Sequence, residues 1–185
     1  DMALHDFIKR TMSEHKRIIF SGNGYSEEWV EEAERRGLPN LKCGIDSVDS
    51  LITDKAIRLF ESFGVYTRAE LESRAEIEYE SYAKTVNIEA KTMIDMAGKQ
   101  IIPAVIRYTA NLAESLTAVQ TACPEADTSV QKELLLEASD LLSDMKTALA
   151  RLTEETEKAA KVEGNKERAY AYHDIVTAAM EELRR

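Results

Sequence analysis

Residues 67–122 read TRAELESRAEIEYESYAKTVNIEAKTMIDMAGKQIIPAVIRYTANLAESLTAVQTA, and how this run divides decides the fold. Thr67 followed three residues later by Glu70 has the spacing of a capping box, in which two side chains satisfy the first free backbone amides of a helix. From Leu71 through Ala75, Val86, Ala90, Ile101, Tyr108, Leu112 and Val119, apolar residues then recur near a period of 3.6. Only Pro103 signals a break. Its ring removes a donor and clashes with the carbonyl one turn earlier, so a kink near Gly98 and Pro103 is expected in one long helix. At about 1.5 Å per residue such a helix is roughly 80 Å long.

Downstream, CPEAD ends this helix, and Thr128 with Gln131 offers a second capping box. Val130, Leu134, Leu141, Leu142, Met145, Leu149 and Leu152 mark another long helix, which Gly164 stops. Asn165 caps a last helix carrying Ala169, Tyr172, Val176, Ala179 and Leu183. Three long helices joined by tight turns predict an all-α antiparallel bundle over residues 46–185, with one helix kinked at Pro103.

Upstream, residues 1–45 read as a shorter helical junction. Leu4, Phe7, Ile8 and Met12 fall at helical spacing, which predicts a helix over 2–16. RIIF is short, apolar and β-rich, and SGNG then turns the chain. Ser26 is a good N-cap, with Glu27 and Glu28 in the first turn, where acids complement the helix dipole. Arg35, Arg36, Gly37 and Pro39 make a stop. CGIDSVDSL reads as a loop, followed by a short helix over 53–62 that Gly64 closes. Both ends of the sequence look like the middle of helices, which suggests a piece of something longer.

Composition bounds the function. Lys and Arg number 24 against 34 Asp and Glu, a net charge of −10. The cations are scattered among acids, so neither nucleic acid nor an anionic membrane is an expected partner. Cys43 and Cys123 lie far apart with no metal-type spacing, which suits a reducing cytoplasm. No apolar run is long enough to span a bilayer.

Candidate chemistry is weak at every point. Gly22 and Gly24 precede a helix, but a nucleotide loop of the Walker type needs a lysine after its last glycine, and a dinucleotide fingerprint needs a third glycine where Glu27 stands. The bland reading is a turn whose glycines supply positive φ. His5, His15 and His173 have no metal spacing. Glu72, Glu76 and Glu80 form a helical stripe without the histidines of a di-iron bundle, and read as a solvated face. Tyr66, Tyr79, Tyr82, Tyr108, Tyr170 and Tyr172 read as core-edge residues with wet hydroxyls. Lys42 beside Cys43 can lower a thiol pKa, but no base is near it in sequence.

Several uncommon groupings nonetheless occur together: GYSEEW, RGLPN, the pattern Ser73, Arg74, Glu76, Ile77, Tyr79 and Tyr82, and a proline inside a helix at Pro103. With AYAYHDIVTAAMEELR at the end, they make residues 4–184 resemble the C-terminal part of type III glutamine synthetases. The resemblance implies a parent enzyme that joins ammonia to glutamate at the expense of ATP, with divalent magnesium or manganese, and that assembles as a large homo-oligomer. None of that family's catalytic motifs maps onto this chain, so no catalytic, cofactor or metal residue is assigned here.

On this reading residues 1–45 join the bundle to a catalytic domain outside the sequence. Phe20, Tyr25 and Trp29 are then the candidate docking residues, and the catalytic domain and other subunits are the expected partners. The chain alone is expected to be an inactive structural and assembly domain of a cytoplasmic enzyme. Two alternatives stand beside it. The junction loop, through Arg35, Arg36 and Lys42, contributes to nucleotide or substrate binding, or the bundle is a regulatory, partner-binding module.

Overall fold

The computed structural model describes residues 2–19 and 21–185. All regular structure among them is helical, as the apolar periodicity predicts. The chain divides into two compact units, residues 1–47 and 48–185.

The first unit holds α1 (Met2–Glu14), a short 3₁₀ turn at Lys16–Ile18, and α2 (Glu27–Arg35). Ser26 caps α2 as its sequence predicts, accepting from the Trp29 amide at 3.4 Å. Gly37 follows with φ +71°, the left-handed step that ends a helix. Phe20 lies outside the described residues. The CGIDSVDSL stretch, expected as a loop, is instead α3 (Gly44–Leu51), across which the boundary between the units falls. Its Gly, Asp and Ser content argues for a turn, but Ile45 and Val48, three residues apart, are both buried. Burial of that one-turn pair outweighs the low propensity of its neighbours.

The second unit continues through α4 (Asp54–Ser62), α5 (Arg68–Met96), α6 (Ile102–Ala122), α7 (Ser129–Ala159), α8 (Asn165–Ala171) and α9 (Thr177–Arg184). The capping box of Thr67 and Glu70 forms as predicted, with the Thr67 amide donating to Glu70 Oε2 at 2.8 Å. The second does not. Thr128 accepts instead from Gln120 Nε2 at 3.3 Å, and Asp127 takes the Ser129 amide at 2.9 Å. Asn165 is likewise not a cap. It is the first residue of α8, and its amide group donates to Glu76 Oε2 on α5 at 2.9 Å.

The break expected near Gly98 and Pro103 is a π-helical turn, Ala97–Ile101, in which one extra residue is taken into the helix. Pro103 sits in the first turn of α6, where its missing amide costs little. A second π turn, Tyr172–Val176, separates α8 from α9.

The helices reverse direction at Cys123–Thr128 and at Ala160–Gly164. At the second reversal Gly164 takes φ +83°, a region open chiefly to glycine. α7 runs back along α6 and then α5, and α8 and α9 run forward again between α5 and α7. Arg151 on α7 pairs with Glu182 on α9. α9 therefore ends at Arg184 about level with Leu149, and the α-carbon of Gly98 faces that same leucine. Over the described residues the third helix thus reaches the height of the first π turn. On one side of that level lies a three-helix bundle. On the other, α6 and the first half of α7 form a two-helix arm.

Burial follows the same line. The buried side chains of α5 extend from Leu71 to Ala90, with Ala97 in the π turn, and those of α7 from Ala148 to Ala159. α6 has none.

Candidate functional site

The SGNG segment is a turn held by its own asparagine. Asn23 Oδ1 accepts from the Tyr25 amide at 3.0 Å, and the Asn23 carbonyl accepts from Ser26 Oγ at 3.0 Å. Gly24 is not in the positive-φ region, contrary to the role expected of it, and a Cβ there would meet nothing within 4 Å. Asn23 forms the turn in its place, through the side-chain-to-backbone bond typical of asparagine. The Tyr25 amide is thereby taken by the Asn23 side chain. Just beyond it, Glu27 and Glu28 place negative charge in the first turn of α2.

The first unit is knotted around Arg36. Its guanidinium donates to the carbonyls of Arg17 at 2.9 Å and Ile19 at 2.7 Å, and pairs with Glu32 at 2.5 Å. It also lies 5.8 Å from the centre of the Trp29 ring, in cation–π reach. Arg35 grips Glu32 from the other side, with its Nε 2.6 Å from Oε2. Arg35 first and Arg36 second hold the Glu32 carboxyl down at about 2. Of the three docking candidates, Trp29 is half-buried in this knot, Tyr25 is 100% exposed, and Phe20 is outside the described residues. Lys42 is exposed and Cys43 half-buried.

A second cluster went unseen in the sequence because its members are far apart in the chain. Asp49 in α3 accepts from Lys166 Nζ at 2.6 and 2.8 Å, and from the Tyr79 hydroxyl at 2.5 Å. Lys166 is followed closely by Arg168 in α8, which donates to the Val162 carbonyl at 3.0 Å. The Lys166 ammonium first, and the Tyr79 hydroxyl second, hold the Asp49 carboxyl below its ordinary range. Burial, and then the carboxylate it donates to, push Tyr79 well up. Asp49 raises the Lys166 ammonium in turn. This three-way clip fastens the second half of α3 to α5 and α8. Its Asp49 carboxylate is engaged by both the Lys166 ammonium and the Tyr79 hydroxyl.

Tyr79 and Tyr172 correct the expectation of wet hydroxyls. Both rings are buried to about 1–2% exposure, and their hydroxyls donate inside the protein, to Asp49 and to Asn87 at 3.1 Å. The expected glutamate stripe is an ordinary surface in part: Glu72 pairs with Arg68 and Glu80 with Lys84, while Glu76 serves Asn165. His173 leans on Asp174 at 2.8 Å between the rings of Tyr82 and Tyr170. Among the described residues no three His, Cys, Asp or Glu side chains converge as metal ligands would, and no helix is long and apolar enough to cross a membrane.

What the structure does present is uncovered apolar surface. Every described apolar residue of α1, including Phe7 at 55% and Ile8 at 51%, is exposed, although they share one face of the helix. The arm repeats this pattern with Tyr108, Val130, Leu134 and Leu141. Contiguous exposed apolar faces of this kind mark interaction surfaces.

Comparison with known proteins agrees with the resemblance carried by GYSEEW and RGLPN. The family described as the glutamine synthetase C-terminal domain matches residues 3–120. A glutamine synthetase of Butyrivibrio fibrisolvens is 36% identical over 180 residues, 97% of this chain and 26% of that protein. A type-3 glutamine synthetase of Dictyostelium discoideum is 37% identical over 117 residues, 63% of this chain and 16% of that protein. A glutamine synthetase of Bacteroides fragilis is 33% identical over 191 residues, spanning 100% of this chain and 26% of that protein. The chain thus spans about a quarter or less of the length of these relatives.

Proposed function

We propose, from the premise that this chain belongs to the glutamine synthetase C-terminal domain family, that it is a structural and assembly domain of a type III enzyme and carries no catalytic group of its own. The whole protein would then form glutamine from glutamate and ammonia, using ATP and a divalent magnesium or manganese ion held by residues elsewhere. Its setting would be the cytoplasm.

The observation that carries this reading is α1. A helix of 13 residues with Leu4, Phe7, Ile8 and Met12 on one uncovered face loses the hydrophobic stabilisation that normally holds such a helix in place. The enzyme body or a neighbouring subunit would supply it, and the exposed Tyr25 would join the same contact. Nitrogen assimilation follows as the setting from the reaction itself.

The reading in which Arg35, Arg36 and Lys42 reach a nucleotide has less support. Two of the three cations are already bound to Glu32, and Arg36 also holds two carbonyls.

The test is made in the whole protein, with Phe7→Ser and Ile8→Ser together. Assembly mass is read by light scattering, and glutamine formation is read alongside. The expected outcome is a smaller assembly. Unchanged mass and unchanged rate would remove the assembly role. A raised KM for ATP at unchanged mass would instead favour the nucleotide reading.

A further inference from the structure

A cavity of about 150 Å³ opens at the foot of the bundle, between α5 and α8 beside the Ala160–Gly164 reversal. Its walls lie between residues 80 and 172, so neither end of the sequence bounds it. Glu80, Ala83, Lys84 and Asn87 stand three and four residues apart and present one face of α5 to it. Arg168 and Tyr172, one turn apart, face them from the third helix.

Two donors in these walls are not answered by the protein. Arg168 is half-buried, and its Nε donates to the Val162 carbonyl at 3.0 Å, which holds the guanidinium in place. That guanidinium has no ion-pair partner among the described residues, whereas Arg35 and Arg36 share Glu32, and Arg151 has Glu182. Asn87, also half-buried, accepts from the Tyr172 hydroxyl at 3.1 Å through Oδ1. Its Nδ2 therefore carries N–H groups with no acceptor among the described residues. Partial burial thins the water around both groups, yet neither is sealed from solvent, so a small molecule can reach them.

The charges select the ligand. Lys84 already answers Glu80 at 2.8 Å. Lys84 first, and Arg168 in addition, hold the Glu80 carboxyl below its ordinary range, so Arg168 acts across the cavity. Two cations and one carboxylate leave the walls with a net charge of 2 − 1 = +1. That matches a single carboxylate, while Glu80 repels a doubly charged phosphate. A guanidinium and an amide lining one small cavity can grip the two oxygens of a carboxylate. Ala83, Ala160 and the buried Tyr172 offer apolar surface for a short carbon chain beyond it. A cavity of this volume holds roughly six non-hydrogen atoms.

We propose that this cavity binds a small monocarboxylate of about three carbons, held by Arg168 and Asn87 across the gap between α8 and α5. The bound molecule ties the third helix to α5 beside the reversal, so occupancy stabilises the bundle from its foot. The proposal rests on the second unit alone and stands whether or not the assembly reading does.

The experiment titrates the chain of residues 1–185 with propionate, with its uncharged analogue propanamide and with inorganic phosphate, at constant ionic strength. Nitrogen–proton NMR follows the side-chain amide of Asn87 and the Nε–H of Arg168, each identified by its loss in the variants Asn87→Asp and Arg168→Lys. The expected result is a saturable shift of both signals by propionate, with a dissociation constant of about 1 mM, within reach of so small a ligand. Propanamide and phosphate should bind at least about tenfold more weakly.

Asn87→Asp keeps the oxygen that accepts from Tyr172 but puts a negative charge where the donor stood. It should abolish the propionate shift at Arg168 while circular dichroism stays unchanged. Arg168→Lys keeps the charge, loses the fork, and should weaken the shift at Asn87 about tenfold. No saturable shift, equal binding of propanamide, tighter binding of phosphate, or propionate binding that survives Asn87→Asp would each overturn the proposal.

Discussion

The bundle and the arm are built from the same long helices, yet they are stabilised in different ways. In the bundle, α5 and α7 are joined by a third helix, and side chains such as Leu152 and Tyr79 are almost fully withdrawn from water. In the arm, two helices alone face each other, and the apolar side chains that would touch a third remain exposed. Two helices can cover only one stripe of each other, whereas three enclose a centre. The apolar pattern of α7 runs through both halves. Whether it becomes core depends on whether a neighbour reaches it.

The largest effect expected from that difference is on cavity formation. Leu152→Ala, at 0% exposure, should lower unfolding stability by about 2–4 kcal/mol, read as a shift in the urea midpoint. Leu141→Ala on the same helix face, at 56% exposure, should change it by less than about 0.5 kcal/mol. Comparable losses at the two sites would show that the arm is covered in solution and would erase the distinction.

The Asp49 clip should come next. Asp49→Asn keeps the shape but weakens the bond to Lys166, and a loss of about 1 kcal/mol is expected for so partly exposed a pair. Because the Asp49 carboxyl is held below its ordinary value, the folded chain releases that proton more readily than the unfolded one. The stabilisation is thus present above the ordinary aspartate value and is lost as pH falls through the lowered one. Urea midpoints measured down through the acid range should therefore decline more steeply in the native chain than in the Asn variant. Parallel curves would mean the clip contributes nothing. Toward alkaline pH the sign is opposite: Lys166 is raised, and its share is lost as pH climbs through that raised value.

Two glycines sharpen the comparison at lower amplitude. Gly164→Ala at the foot of the bundle forces a side chain into φ +83° and against Glu167, and should cost about 1 kcal/mol. Gly98→Ala, at the border of the arm, places a methyl 3.9 Å from Leu149 in ordinary contact. It should raise stability by up to about 1 kcal/mol through helix propensity. A calorimetric melt of each variant decides the sign. The smallest expected effect is local. Amides of α6 should exchange with deuterium faster than those of α5 between Leu71 and Ala90, because the arm opens without disturbing the core.

The division of the molecule was only partly legible in advance. The helices, the Thr67 cap, the stop at Gly164 and the interruption near Gly98 are local matters, and local chemistry announces them. α3 was hidden because its residues favour turns, and only burial of Ile45 and Val48 makes them helical. The clip was hidden because Lys166 and Asp49 are remote in the chain, and no spacing rule links them. Tyr79 and Tyr172 were misplaced for the same reason: whether a tyrosine hydroxyl is wet depends on a partner from another helix. The end of the core at Gly98 could not be seen either, since α9 reaches that height only through the turn that folds it back. Among docking candidates, Tyr25 and Trp29 were named from their chemistry, but the exposure of α1 and of the arm emerges only when the helices are set side by side.

The π turn at Ala97–Ile101 gives the border one more property. A wide turn takes in a single additional residue without advancing the helix by the ~100° that this residue would otherwise add. Everything beyond it, the arm and whatever it carries, therefore faces as it would in an unbroken α-helix one residue shorter. Removing one residue from that turn would tighten it to an ordinary α turn. The bundle would keep its parts, and the arm would stay aimed where it is.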